Sequence, residues 1–460
     1  MGKQTTGQNS TTETAEARQW LPAQAPVLCE KPERRCGSPD AKAPVHWLIE
    51  ADNLPALMAL AQTHGGKVDV IYIDPPYNTG HKDLAYNDTF ARATGTDGHA
   101  AWLSFMRERL IIARQLLSER GVIFISIDQH ELARLNLLCN DLFGEQNCLG
   151  IITLINNMKG RSDDAHFATC NEFMLVYALH PDRVEMTPTA IDEEEMENDY
   201  KLADELSSYK TVGLRKTGKN WRREDRKGMY YPVLQRGGEF FSISDEEYNR
   251  IYDKPSDTID DDYVATLCQQ YRQQGFTVHL PIDGNGEKGR WRWGFYNSFR
   301  KYYKTELCVN TEGTLCTKMR NRLEDGSIRG KLAKTVWYKA EYDTGVAGKA
   351  LTRMFGHKVF GHPKAVTHIK DVLSLFGRDI TVLDFFAGSG TTMHATMLLN
   401  AEDGGTRRCI LVTNNENGIC HNVTYPRCRM VIEGYDLPGG KHVDGLTNNA
   451  LQYFITKTTD

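Results

Sequence analysis

The sequence predicts an α/β fold, in which a doubly wound, mostly parallel sheet is covered by helices. Short β-branched apolar runs alternate with segments of helical spacing over residues 45–185, and the alternation returns after about residue 335. Helical crossovers of this kind connect parallel strands. Residues 190–335, between the two blocks, are polar, charged, aromatic and irregular, which predicts an inserted domain rather than a continuation of the sheet.

The predicted elements alternate along both blocks. Seven short apolar segments have the composition of buried strands: residues 45–52, 68–73, 122–128, 151–155, 172–177, 379–386 and 408–413. Helices are predicted between or after them, at residues 53–64, 102–120, 131–143, 391–399 and 425–434. We therefore divide the chain into a disordered lead, a first α/β block, the middle region, and a second α/β block with a C-terminal tail: residues 1–40, 41–189, 190–335 and 336–460.

The charge pattern is more informative than the net charge of −5. Basic residues are concentrated at 215–227 and 290–304, where tryptophan and tyrosine lie among them. Basic side chains contact phosphates and aromatic rings stack on bases, so two such runs favour nucleic-acid contact over ordinary solvated surfaces. The candidate contacts are Trp221, Arg222, Arg223, Trp291, Arg292 and Trp293.

Some classes of protein do not fit the sequence. No stretch has the apolar length that spans a bilayer, so no membrane association is expected. The first 25 residues lack the apolar core of a secretory signal. The eleven cysteines are scattered without a C-x-x-C pair, which predicts no metal site and reduced thiols in a cytoplasmic protein.

The first candidate site is the tetrapeptide Asp74-Pro75-Pro76-Tyr77, directly after the predicted strand at 68–73. The prolines stop the strand and keep Asp74 extended, because they fix φ and remove backbone donors. A carboxylate, backbone carbonyls and an aromatic ring are thereby held at the carboxyl end of a strand, where open α/β sheets bind ligands. This arrangement suits a planar ring that carries an amino group.

The second candidate site is a glycine turn between a predicted strand and a predicted helix. Its two glycines allow positive φ and close backbone approach, and the helix start offers free N–H groups to an anion. Glu416, after the next strand, is placed to accept hydrogen bonds from a ribose. The six-residue dinucleotide fingerprint is absent, which argues against a nicotinamide enzyme. The residues proposed to bind a cofactor here are Asp384, Phe385, Ala387, Gly388, Ser389, Gly390 and Thr391.

The D-P-P-Y and F-A-G-S-G segments together resemble those of the DNA amino-methyltransferases, which use S-adenosylmethionine. Their order, with D-P-P-Y first, is similar to that of the β class, a circularly permuted arrangement. Flanking segments resemble the modification subunit of type III restriction–modification systems and its solitary relatives, at residues 48–54, 78–80, 102–106, 121–128 and 172–178. The stretch 360–366 departs from the usual pattern, because it replaces a lysine-proline pair before the glycine turn.

The resemblance implies a Rossmann-like methyltransferase fold with a circularly permuted seven-stranded sheet and an inserted target-recognition domain at 190–335. The first α/β block would be the catalytic half and the second the cofactor-binding half, with Asp52 and Lys364 as further cofactor-binding residues. It also implies that adenine flips out of duplex DNA, its amine donates to Asp74 and a carbonyl near Pro75, and Tyr77 stacks on the ring. Expected partners are double-stranded DNA, a second copy of the chain, and a helicase-nuclease restriction subunit.

Four other classes of protein share features with this sequence. A cytosine-C5 methyltransferase is excluded, because it needs a nucleophilic cysteine, usually after proline, and the chain has no Pro-Cys pair. An N4-cytosine enzyme stays open, since the same acceptors would hold that amine, although the leading Asp rather than Ser resembles the adenine enzymes. A non-catalytic DNA-binding protein would not need both sites. RNA or protein-glutamine methyltransferases resemble this chain less, because they carry a related Asn-Pro-Pro-Tyr motif.

Overall fold

The structure is a computed structural model that describes residues 26–37, 43–80, 90, 97–160, 166–191 and 193–457. Residues 1–25 and 38–40, which belong to the predicted disordered lead, lie outside the described residues. The chain divides into two compact units. The first contains the described residues up to Thr189 and those from Leu332 onward, and the second comprises Ala190–Lys331.

The first unit is built on one sheet, which has ten strands among the described residues. In chain order they are β1 (Val27–Glu30), β2 (Val45–Glu50), β3 (Val68–Ile73), β4 (Leu117–Ile127), β5 (Cys148–Ile155), β6 (Asn171–Ala178), β7 (Val336–Tyr338), β8 (Thr381–Asp384), β9 (Arg408–Thr413) and β10 (Ala450–Lys457). Their order across the sheet is β1-β10-β2-β9-β8-β3-β4-β6-β5-β7. Only the pairs β1–β10, β4–β6 and β5–β6 are antiparallel, so the sheet is mostly parallel.

Seven helices accompany this sheet in the described part of the first unit: α1 (Asn53–His64), α2 (Asp97–Leu116), α3 (Leu132–Phe143), α4 (Thr344–Phe355), α5 (Val366–Ser374), α6 (Thr391–Asp403) and α7 (Tyr425–Glu433). A small hairpin joins Gly434–Asp436 to His442–Asp444. Two apolar cores lie on opposite faces of the sheet, because successive side chains of a strand alternate in direction. In β3, Val70 and Tyr72 enter one core, whereas Ile71 and Ile73 enter the other.

The predicted α/β fold with a mostly parallel sheet is confirmed, but the number of strands is not. All seven predicted segments form strands, as β2 to β6, β8 and β9. The seven-strand prediction is wrong because β1, β7 and β10 extend the sheet at its two edges. The predicted disordered lead, residues 1–40, also extends too far, because Val27–Glu30 forms β1 and pairs antiparallel with β10.

Helix boundaries differ from the prediction at α2 and α6. The helix predicted at 102–120 spans Asp97–Leu116, and the one predicted at 391–399 continues to Asp403. Leu117 already starts β4 and pairs with Val68 of β3, so sheet hydrogen bonding ends the first of these helices early. Backbone pairing overrides helical spacing here.

The second unit has its own sheets and core. One sheet orders Leu307–Val309, Leu315–Arg320, Ser208–Gly213 and Leu202–Ala203; another orders Glu239–Ser242, Val233–Arg236 and Thr277–His279; Tyr252–Asp253 pairs with Thr258–Ile259. Its helices are Glu193–Asp199, Asp245–Ile251, Asp261–Gln273 and Arg300–Tyr302. In the described part of the chain, no helix combines the length and apolar character needed to cross a membrane.

Candidate active site

The carboxyl ends of four neighbouring parallel strands bring the two predicted sites together. Strands β2, β9, β8 and β3 run in the same direction and lie side by side. Their carboxyl ends therefore open at one edge of the sheet, as expected for ligand sites in α/β folds. A cavity of about 380 Å³ lies at this edge. The predicted site residues that line it are Asp52, Asp74, Pro76, Lys364, Asp384, Phe385, Ala387, Gly388, Ser389, Thr391 and Glu416.

The segment Asp74–Tyr77 is held by hydrogen bonds at both ends. The Tyr77 hydroxyl donates to Asp74 Oδ1 at 2.7 Å. The buried indole N–H of Trp102, on α2, donates to the carbonyl oxygen of Pro76 at 2.7 Å. Pro75, Tyr77 and Gly390 are not among the residues that line the cavity. The backbone after β3 is thus fixed, and the Asp74 carboxylate faces the cavity.

A buried ion pair stands beside this segment. The Lys364 ammonium donates to both carboxylate oxygens of Glu172 at 2.7 Å and to the Tyr77 hydroxyl at 2.7 Å. Burial raises the pKa of Glu172 and raises that of the Tyr77 phenol well above its usual range. Burial alone would lower the pKa of Lys364, but the carboxylates of Asp74 and Glu172 outweigh it and raise that pKa. The predicted cofactor-binding lysine therefore meets the D-P-P-Y segment.

Asp384 ends β8 beneath the glycine turn. Its carboxylate accepts hydrogen bonds from the Thr392 hydroxyl at 2.6 Å and from the backbone N–H of Phe386 at 3.0 Å. Burial raises the pKa of Asp384 to about 7, even though both hydrogen bonds act in the opposite direction. This carboxyl group therefore changes charge near neutral pH, next to the cavity.

The glycine turn has the left-handed backbone that its sequence suggests. Gly388 and Gly390 have φ of +49° and +80°. The Thr424 hydroxyl donates to the carbonyl oxygen of Gly388 at 2.7 Å. The buried guanidinium of Arg427, on α7, donates to the Ser389 hydroxyl at 2.9 Å and to its carbonyl oxygen at 3.3 Å. Residues from the C-terminal part of the chain thus hold the turn.

The remaining walls of the cavity are polar on one side and aromatic on another. Asn53 donates to the carbonyl oxygen of Phe385 at 2.9 Å and accepts from Arg109 at 2.5 Å. Arg109 also lies 3.4 Å from the Asp52 carboxylate, whose other role is to cap α1. Glu416 follows β9 and is exposed. Aromatic rings complete the lining: Phe90, Phe105, Phe360, Phe385 and Phe386.

The candidate DNA contacts differ from one another in exposure. Trp291 is only 2% exposed and donates to the carbonyl oxygen of Tyr231 at 2.7 Å, so its prediction as a DNA contact is wrong: the ring packs in the core of the second unit. Trp221 and Trp293 are half-buried. Arg223 is tied to Asp261 at 2.7 Å.

Two of these candidates, Arg222 and Arg292, are exposed. The Arg292 side chain donates to the carbonyl oxygen of Gly213 at 2.9 Å. The Arg222 guanidinium lies 5.8 Å from the ring of Trp221, within the range of a cation–π contact. Arg222 is therefore the best placed of the set for a phosphate.

Sequence reasoning missed several residues of the site. Four buried residues around the cavity or its walls were not predicted: Tyr72, which lies two residues before Asp74, and Glu172, Arg109 and Arg427, which lie outside both motifs. The sequence marks Glu172 only weakly, because it stands beside Asn171 at the polar start of β6, where an acidic residue is ordinarily solvated. Buried carboxylates need partners, so a charged residue in such a strand deserves a functional interpretation.

Comparisons with known proteins agree with the geometry. The N6/N4 methyltransferase family model, described as DNA methylase, matches residues 68–421. The Mod subunit of the type III restriction-modification enzyme EcoPI, from Escherichia phage P1, is 34% identical over 395 residues, which cover 80% of this chain and 57% of that subunit. The type II methyltransferase M.KpnI of Klebsiella pneumoniae is 32% identical over 367 residues, with 79% of each chain covered.

A solved structure adds little to these two sequences. The complex of M1.HpyAVI with SAM is 12% identical, with a TM-score of 0.34 and coverage of 84% of this chain and 98% of that one, a likeness too weak to carry an argument. The chain spans little more than half the length of the EcoPI subunit. The resemblance to type III modification subunits is confirmed, and, since the family match takes in most of its length, the chain belongs to the DNA methylase family.

Proposed function

We propose that the chain is a DNA methyltransferase that transfers a methyl group from S-adenosylmethionine to the N6 amine of adenine in double-stranded DNA. One observation carries the proposal: Asp74, from the amine-accepting segment, and the turn around Gly388 line the same cavity, although more than three hundred residues separate them in the sequence. A cofactor on the turn and an amine on Asp74 would therefore meet.

The residues at the cavity fit S-adenosylmethionine. Gly388 borders it with a φ of +49°, a left-handed conformation that favours glycine and brings the backbone of the turn to the cavity. The start of α6 offers backbone N–H groups to a carboxylate. Asp384 suits a positively charged group, and the exposed Glu416 suits ribose hydroxyls. When bound, the cofactor would supply an electrophilic methyl group, whose carbon–sulfur bond breaks as a neutral thioether leaves.

The chain's own residues bind and orient the base. Asp74 Oδ1 already accepts from Tyr77, whereas Oδ2 has no hydrogen-bond donor among the described residues. Oδ2 therefore accepts one amine hydrogen and takes the proton that the nitrogen loses when its bond to carbon forms. The Pro75 carbonyl accepts the second hydrogen, and Tyr77 stacks on the ring. Positioning and electrostatics, without a covalent intermediate, account for such a reaction.

The choice of adenine rests on resemblance rather than on a contact. The leading Asp74 resembles the adenine enzymes, whereas the same acceptors would also hold the N4 amine of cytosine. We further propose that the second unit recognises the target sequence, because its exposed arginines are suited to phosphates. The cytoplasmic location stays a prediction.

The partners are proposed from the relatives. One of them is a type III Mod subunit and another is a type II methyltransferase, so we propose that this chain is the modification component of a restriction–modification system. A helicase-nuclease restriction subunit and a second copy of the chain are its proposed partners.

Replacement of Asp74 tests the proposal. Purified protein with radiolabelled S-adenosylmethionine should label duplex DNA, and Asp74→Ala should reduce the rate at least about 100-fold, as when a preorganised catalytic group is removed. Cofactor binding, followed by calorimetry, should stay within about threefold of wild type, because Asp74 acts on the base. Asp141→Ala is a matched control, since Asp141 pairs at the surface with Arg107 at 2.6 Å. The proposal would be contradicted if the wild-type protein transferred no label to DNA, or if Asp74→Ala kept full activity.

A further inference from the structure

We propose that Glu172 and Lys364 form a positioning pair that holds Tyr77 and Asp74 in the geometry that receives the target amine. The inference rests on the proposed function and deepens it. It gives Lys364 a different role from the cofactor contact that the sequence suggests, and it gives a role to Glu172, which neither motif contains.

The contacts of Lys364 account for its whole ammonium group. Its three strong hydrogen bonds go to the two oxygens of Glu172 and to the Tyr77 hydroxyl, each at 2.7 Å. An ammonium group has three hydrogens, so these bonds use all of them. Asp74 Oδ1 lies 3.2 Å away as a fourth acceptor, more distant than the other three. No hydrogen is left to donate to a cofactor.

The pair is buried, so both charges lose their hydration, and this desolvation opposes folding. The side chains of Glu172 and Lys364 are 8% and 12% exposed. Two charges removed from water often stabilise a protein no more than apolar side chains of the same volume would. Glu172 lies at the start of β6, directly before the apolar residues that pair with β4, and its side chain is buried against Lys364 rather than in solvent.

The effect of the pair on Tyr77 follows from the direction of the hydrogen bonds. The Tyr77 hydroxyl accepts from Lys364 and donates to Asp74 Oδ1 at 2.7 Å, with Glu172 Oε2 as a more distant acceptor at 3.2 Å. It thus links the buried cation to the carboxylate and cannot turn without breaking both bonds. The ring is fixed for stacking, and Asp74 is oriented with Oδ2 toward its proposed substrate.

Other titratable groups face this cluster. Tyr72 on β3 has its pKa raised well above the usual range by burial, and then by the charges of Asp74 and Glu172. His368 on α5 has its pKa lowered to about 3 by burial and by Lys364. Burial raises the pKa of Asp384 to about 7, and burial also raises the pKa of Glu172. Titration of Asp384 should affect mainly the binding of the cofactor, because Asp384 borders the proposed cofactor site. Rates measured at saturating cofactor should therefore not reflect it.

The test compares Lys364→Met and Glu172→Gln with wild type at saturating cofactor and DNA, as a function of pH. Lys364→Met leaves two carboxylates without a cation, so the pH of half-maximal rate on the acid side should rise. Glu172→Gln removes the neighbouring negative charge, so that pH should fall. For Lys364→Met we expect kcat to drop at least about tenfold while the Kd for S-adenosylmethionine changes less than about threefold.

Controls separate positioning from folding. Lys370→Met is a matched control, since Lys370 lies on α5, pairs with Glu402 at 2.7 Å and should leave both profiles unchanged. The double variant Glu172→Gln/Lys364→Met removes both charges and keeps the volume, so it should fold even if Lys364→Met does not, and it should stay slow. Its melting temperature should exceed that of Lys364→Met, which reports the coupling of the pair without any activity.

Three results would overturn the inference while leaving the proposed function intact. The first is an active wild type with a double variant of normal kcat. The second is a loss of cofactor affinity in Lys364→Met as large as the loss of kcat, which would restore the cofactor role. The third is an acid limb that moves in the same direction, or not at all, in both single variants. An inactive wild type would instead count against the proposed function.

Discussion

At the residue scale, Asp384 links the proposed cofactor site to pH. Its carboxyl is buried, with a pKa of about 7, so it is half protonated at neutral pH before a ligand binds. A positively charged ligand group favours the ionised form, and binding then releases a proton. The affinity for S-adenosylmethionine should therefore rise with pH, by up to about tenfold per unit below pH 7, and level off above it.

Calorimetry from about pH 5.5 to about pH 8.5 would check this expectation, because the range extends about 1.5 units on either side of the pKa of Asp384. Asp384→Asn should flatten the curve, whereas the exposed Asp379→Asn in the same segment should not. A pH-independent affinity in wild type would mean that Asp384 stays protonated in the complex and only supports the turn.

At the same scale, the sequence predicts the residues that follow strands and misses those that converge from elsewhere. Asp74 and Asp384 are predictable, because each follows an apolar run and precedes proline or a glycine turn. Glu172 and Arg427 are not, because their partners come from segments far away in the chain. Trp291 shows the opposite error, since a tryptophan between arginines is equally compatible with a core.

At the scale of elements, the two ends of α6 provide a matched pair of glycines. Gly390 and Gly404 flank this helix with φ of +80° and +70°. A Cβ at Gly390 would lie 3.2 Å from Cγ2 of Thr424, whereas one at Gly404 meets nothing within 4 Å. Both alanine variants carry left-handed strain, which costs about 1–2 kcal/mol per residue.

Only Gly390→Ala should also weaken cofactor binding, because it displaces Thr424, which holds the carbonyl of Gly388. Melting temperature and calorimetry together would measure the two effects. Equal cofactor affinity in the two variants would show that the turn is not shaped for a ligand. The glycine turn itself is predictable from sequence, but its support by Thr424 is a tertiary contact that local spacing does not encode.

The sequence pattern predicts the longer strands of the sheet but not its short strands or the start of β4. The seven apolar segments are recognisable because buried strands need continuous β-branched runs. β7 has three residues and β1 four, too few for a pattern. β4 begins inside the helical spacing of the preceding segment, because pairing with β3 decides its start.

At the scale of the whole molecule, the second unit carries the proposed recognition of DNA. Arg222 is exposed, whereas Arg223 is 17% exposed and bound to Asp261. Arg222→Ala should weaken DNA binding and reduce the slope of log affinity against log salt by about one phosphate contact. Arg223→Ala should lower the stability of the protein and leave that slope nearly unchanged.

Fluorescence anisotropy with duplex DNA at several salt concentrations would distinguish the two arginines. If the slope of log affinity against log salt changed only for Arg223→Ala, then Arg223 rather than Arg222 would contact a phosphate. The irregular fold of this unit could not be predicted, since its short strands and loops lack periodicity.

We expect a single kind of methylated base in the DNA product. Duplex DNA incubated with the protein and S-adenosylmethionine can be digested to nucleosides and analysed by mass spectrometry. N6-methyladenine should appear, and it should be absent with Asp74→Ala. N4-methylcytosine alone, or a digest without any methylated base, would contradict the proposal that the segment after β3 receives adenine.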